Sequence, residues 1–149
     1  MKTNSWIVVV SKDETRIFDK GQFTAHWSKV QVMKRNHLDK DHAFKSIGNV
    51  SNNFATHAAV DEASTHRKIY DHYFHGVAEF INKARATQQF EHLFLVASPE
   101  SIGEVKSHLD KESIKHLKKS INKDLVHLNQ SELEDYMKED FLFYGDLHK

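Results

Sequence analysis

Two uninterrupted apolar runs stand out from an otherwise alternating chain: SWIVVVS at residues 5–11 and HLFLVAS at residues 92–98. Runs of this length and β-branched character suit strands covered on both faces. After the turn residues SKDE, the segment TRIFD alternates as a second strand, and DKGQ offers a glycine for a hairpin turn. AHWSKVQV alternates again, with Trp27 and either Val30 or Val32 directed at the core. Three sequential strands joined by short turns predict an antiparallel meander.

Over residues 34–64 the periodicity fails, in a polar stretch with scattered aromatics. So long a structureless connection is uncommon in a compact domain and is usually functional or mobile. A long helix is expected from Ser64, capped by Ser64 or Thr65, because Ile69, Tyr73, Val77, Phe80, Ile81 and Ala84 recur at spacings of three and four. After HLFLVAS, Ser98 is placed as N-cap and Pro99 at the first helical position, with Glu100 and Glu104 near the positive helix end. That helix carries Ile102, Val105 and Leu109 inward, and DKESIKHL adds one further turn. In LKKSINKDL, alternation of Leu117, Lys119 and Ile121 suggests a strand whose lysines mark an edge. NQSELEDYM opens the last helix, with Asn129 as N-cap and Glu132 as its capping-box partner. The order βββ–loop–α–β–α–β–α predicts an α/β sandwich: a mixed sheet with an N-terminal antiparallel meander and helices on both faces. One domain over residues 1–149 is expected, with a mobile loop at about 34–64.

Composition removes several functions. The 21 basic and 21 acidic residues balance, so strong unaided nucleic-acid binding is not expected. Without cysteine there is no thiol catalysis and no zinc–thiolate site. The apolar run near the start is too short for a signal-peptide core, and no run approaches a membrane span, so a cytoplasmic protein without membrane insertion is expected. The five glycines are unclustered, which argues against a nucleotide-binding loop. Neither apolar strand carries Asp or Glu, which argues against a two-metal nuclease. The 12 histidines would swing the net charge positive on mild acidification, yet nothing groups them all.

Three candidate sites remain. His66, His72 and His75 lie on or beside the long helix, and His72 and His75 at i, i+3 can reach one metal. No third ligand is placed by the sequence, so solvent-exposed histidines are the expectation and no metal or cofactor is assigned. Ser98 sits at a helix start that can hold an anion, but an N-cap serine explains it. The closing stretch INKDLVHLNQSELEDYM puts Lys123, Asp124 and His127 in a short loop. Asp124 is expected to accept backbone N–H bonds two or three residues on and to orient His127, with Leu125 and Leu128 anchoring the loop. Turn chemistry accounts for the whole constellation.

Three stretches carry a resemblance: WIVVVSKDETRIFD, FEHLFLVASPESIGEVKSHL and INKDLVHLNQSELEDYM. They resemble the first hairpin, the buried strand with its helix, and the closing KDLTH signature of the bacterial host attachment proteins. Val126 stands where that signature has threonine. The family is in turn similar to the middle domain of the archaeal and eukaryotic class-one peptide release factors, which implies a ribonuclease H-like three-layer sandwich. In those factors a Gly-Gly-Gln tip, on the loop between the third strand and the long helix, helps water attack peptidyl-tRNA. The equivalent loop here has only Gly48, followed by Asn49. The chain's one Gly-Gln pair, Gly21-Gln22, lies in the first hairpin region.

The resemblance therefore implies a non-catalytic binding module with no catalytic residue assigned. Its expected partner is the ribosome or an attachment-related protein, met through Gly48 and Asn49 or through Lys123, Asp124 and His127. The alternative is a hydrolase of peptidyl-tRNA or a related ester, using SNNFATH or the 123–127 loop in place of the missing motif.

Overall fold

The computed structural model describes residues 4–22, 24–35 and 54–147, the two stretches 54–68 and 142–147 by their helical backbone alone. Five strands form one sheet in the order β3-β2-β1-β4-β5. They are β1 (Ser5–Val10), β2 (Glu14–Lys20), β3 (Ser28–Lys34), β4 (His92–Ala97) and β5 (Leu117–Asn122). The expected meander is present: β1 pairs antiparallel with β2, and β2 with β3. β1 then pairs parallel with β4, and β4 with β5, which makes the sheet mixed. The helices are α1 (Phe54–Ala86), α2 (Pro99–His108), α3 (Lys111–His116) and α4 (Gln130–Leu147).

The two apolar runs are the central strands, and each feeds two cores. Trp6, Val8 and Val10 of β1 and Leu93, Leu95 and Ala97 of β4 pack with Tyr73, Val77 and Ile81 of α1 and with Ile102 and Val105 of α2. Their alternate neighbours Ile7, Val9, Phe94 and Val96 pack on the other face with Leu133 and Met137 of α4. A strand buried on both sides has no polar face to display, which is why the sequence there does not alternate. The result is the three-layer α/β sandwich with helices on both faces.

The helix caps follow the sequence closely. Ser98 Oγ accepts from Ser101 N at the start of α2, with Pro99 in the first turn. Asp110 caps α3 through Ser113 N at 2.7 Å, and this backbone bond, with Arg85 alongside, holds its carboxyl below the usual carboxylate range. At α4, Asn129 Oδ1 accepts from Glu132 N and Glu132 Oε1 accepts from Asn129 N, a complete capping box.

Two local expectations are corrected, and the choice between Val30 and Val32 is decided. The long helix begins at Phe54, not Ser64, so the expected loop over 34–64 loses its last third to α1, and Lys34 belongs to β3. Residues 54–64 are rich in alanine, the best helix former, and propensity carries the helix where apolar periodicity is weak. In β3 the pairing with β2 slips between Ile17 and Phe18, so Val30 and Met33 both pack on the α1 face while Val32 is exposed. A similar slip between Leu93 and Phe94 advances the β5 register by one residue, from Leu117 to Lys119. Leu117 and Ile121 consequently join opposite cores instead of sharing one face.

α1 ends in a left-handed residue. Gln88 has φ 58°, Gln89 N donates to Ala84 O at 2.9 Å, and Gln88 N donates to Arg85 O at 2.9 Å. This is a Schellman closure made with glutamine where glycine is usual.

Candidate functional site

The loop between β5 and α4 is fixed from three sides. Lys123 N donates to Ile121 O at 2.9 Å and Leu128 N to Leu125 O at 3.0 Å, folding the chain back after β5. Leu125 is buried in the α4-side core, with Val126 and Leu128 packed beside it. Arg16, on β2, reaches across to the same loop: its Nη2 donates to Val126 O at 2.6 Å and also to Leu128 O. The first turn of α4 is tied to the start of β3, because Gln130 Nε2 donates to Trp27 O at 2.7 Å and to Glu134 Oε2 at 2.9 Å.

Against this frame the predicted residues separate. Lys123 is exposed and its ammonium lies 5.4 Å above the ring of Tyr136; hydrogen bonding to Tyr136 raises its pKa. Asp124 is also exposed and accepts no hydrogen bond among the described residues, so it does not close the turn or orient His127. Backbone carbonyls and Arg16 do that work instead. His127 is exposed, and the loop does not bring it together with Lys123 or Asp124. Gly48 and Asn49 lie outside the described residues.

What the sequence did not reveal is a cleft beside this loop, about 360 Å³ in volume. Its floor is the α4-side surface of β2 and β3, beyond the edge of the helix, and its end wall is Asn129 and Gln130. Arg16, Lys29 and Lys34 contribute three cations against one carboxylate, Glu14, around the half-exposed Val32. The slip in β3 aims these side chains: without it, Lys29 and Lys34 would face opposite sides of the sheet. A patch of this composition attracts anions and offers one apolar contact, although the chain's overall charge is balanced. The only hint in the sequence was a pair of lysines flanking an unplaced valine.

His72 and His75 are exposed, as expected, and α1 does not pair them on a common partner. His75 turns toward α2, where its Nδ1 lies 3.5 Å from His108 Nδ1, and Asp71, one turn before it, meets His108 Nε2 at 3.0 Å. His72 is not part of that cluster.

A family model described as bacterial archaeo-eukaryotic release factor family 12 matches residues 4–137. The chain belongs to this family. Membership in release factor family 12 agrees with the release-factor side of the resemblance drawn from the sequence and gives no support to the host-attachment side. Among solved structures, one described as an archaeal protein matches with a TM-score of 0.52 and 14% identity, over 92% of this chain and 34% of that one. At that identity the likeness concerns the fold, and the family 12 chain spans about a third of the length of that relative. No curated protein matches the chain. Among the described residues, no helix is long and apolar enough to cross a membrane.

Proposed function

We propose that this domain is a non-catalytic, release-factor-like binding module that docks on the translation machinery. The observation that carries the reading is the basic cleft of Arg16, Lys29 and Lys34, bounded by Asn129 and Gln130 at the end of a closing loop that Arg16 ties to β2. Ribosomal surfaces are rich in phosphate, and a small cationic cleft recognises phosphate without needing a basic protein overall. Rigid presentation lowers the ordering cost of binding.

Sedimentation of the purified chain with ribosomes through a sucrose cushion, at two salt concentrations, tests this. Co-sedimentation is expected at low salt, with loss as salt rises and in the double variant Lys29→Glu/Lys34→Glu. Absence of association, or association indifferent to that variant, overturns the reading. Recovery from lysate with envelope or surface proteins would favour an attachment-related partner instead.

A further inference from the structure

On the outer surface, opposite the cleft layer, α1 and α2 present two facing pairs at i, i+4: Asp71 with His75, and Glu104 with His108. Ligating atoms of Asp71, Glu104 and His108 all lie within 4.8 Å of one another. We propose that these three side chains bind a divalent cation of the zinc class, with His75 as the outer partner that orients His108.

The helices that carry the donors are stiffly joined. Asn82 Nδ2 donates to His108 O at 3.2 Å, while Asn82 Oδ1 accepts from Asp110 N at 3.0 Å. Arg85 pairs with Asp110 at 3.1 Å, and Val77, Ala78, Ile102 and Val105 fill the space beneath. Ligands placed on packed helices hold their geometry better than ligands on loops. Around zinc at about 2.0–2.2 Å, tetrahedral ligand atoms sit about 3.3 Å apart. Asp71 Oδ1 and His108 Nε2, at 3.0 Å, already meet that spacing. Glu104 is exposed and closes the remainder by a change of rotamer.

The ring contacts supply the second argument. A metal-bound histidine donates its other N–H to a neighbouring acceptor. Here His108 Nδ1 faces His75 Nδ1 at 3.5 Å, and His75 Nε2 faces Glu79 Oε2 at 3.7 Å. With its proton on Nδ1, His108 donates to His75 and leaves the Nε2 lone pair facing Asp71 and Glu104; His75 then carries its own proton on Nε2 toward Glu79. In the reverse direction, His108 Nε2–H donates to Asp71 and the cluster is an ordinary polar network. A cation bound at Nε2 selects the first direction. One imidazole with two carboxylates suits zinc or cobalt(II) better than magnesium or calcium, which prefer oxygen alone.

The test uses the full chain, titrated with zinc in competition with a fluorescent chelator and with cobalt(II) by visible absorption. One site per chain is expected, weakened at least about tenfold by Asp71→Asn or Glu104→Gln and about tenfold by His75→Ala, with His72→Ala unchanged. Asp71 and Glu104 are exposed, so their variants keep the fold, and thermal melts check this. Zinc should also raise the thermal midpoint of the wild type but not of Glu104→Gln. Binding indifferent to Asp71→Asn and Glu104→Gln, or weakened equally by His72→Ala, overturns the site.

Discussion

Arg16 and Val126 lie 110 positions apart in the chain, yet the Arg16 guanidinium donates to the Val126 carbonyl at 2.6 Å. With its second bond, to Leu128, the same nitrogen closes the loop that the sequence had assigned to Asp124. Arginine suits the task because it stays charged and each terminal guanidinium nitrogen carries two N–H donors, enough for both carbonyls.

Arg16→Ala should therefore cost about 2 kcal/mol of stability, since two loop carbonyls lose a charged donor. Arg16→Lys should recover only part of it. Urea unfolding measures the loss, and faster hydrogen exchange at residues 123–128 should locate it. Unchanged exchange there would mean that the loop holds itself.

Asp124→Ala should be nearly neutral, because its carboxylate accepts no hydrogen bond among the described residues. Asn129→Ala, by contrast, removes the cap of α4 and should cost about 1 kcal/mol. The two variants compared by urea midpoint decide which residue organises the closing segment. Equal losses would restore Asp124 to a structural role.

That contrast shows what was legible in the sequence. Asn129–Glu132 and Ser98–Pro99 are local signals in which each partner lies within one turn of the other, and both were placed correctly. The central strands were equally plain, since burial on two faces leaves a continuous apolar run. Arg16 reads as a polar strand position, and nothing near it in sequence points to the 123–128 loop. The slips at Val30 and Lys118 were hidden because a one-residue shift leaves composition unchanged while exchanging faces. The Asp71–Glu104–His108 cluster was half visible: His75 reads as one of two helical histidines, but Glu104 and His108 come from another helix, and spacing along α1 alone points to the i, i+3 neighbour His72.

Gln88→Gly should stabilise the protein by about 0.5–1 kcal/mol, because glutamine at φ 58° pays a steric cost that glycine does not. The rise should appear in the urea midpoint with an unchanged slope. A loss of stability would show that the Gln88 side chain contributes more than its backbone costs.

Tyr73 and Thr15 share a buried hydrogen bond of 2.7 Å, and burial pushes the Tyr73 phenol up to about 12 from its ordinary 10.0. The folded state thus holds this proton more tightly than the unfolded chain. Its stabilisation is full below pH 10 and is lost as pH rises toward 12, by at most about 1.4 kcal/mol per pH unit. Tyr73→Phe should cost about 1 kcal/mol at neutral pH by leaving Thr15 unpartnered, and should flatten the alkaline decline. Urea midpoints of both proteins from pH 9 to 11.5 measure the difference. Parallel curves would assign the alkaline loss to other groups.

The last prediction concerns chemistry at the ribosome. The purified chain should not release peptide from ribosome-bound peptidyl-tRNA above the spontaneous rate. In the release-factor mechanism, paired glycines let the backbone enter a narrow cavity and a glutamine amide places the water. Gly48-Asn49 offers one glycine and a shorter amide, flanked by Ile47 and Val50, whose branched side chains restrict the backbone. Nor do the 123–127 side chains supply a substitute, because Lys123 lies over Tyr136 while His127 meets neither it nor Asp124 among the described residues. A multiple-turnover release assay, with Asn49→Ala and His127→Ala as controls, checks the expectation. Robust release abolished by either substitution would make this domain an enzyme and end the binding-module reading. Baseline release together with ribosome association that is lost in Lys29→Glu/Lys34→Glu would support the binding-module reading.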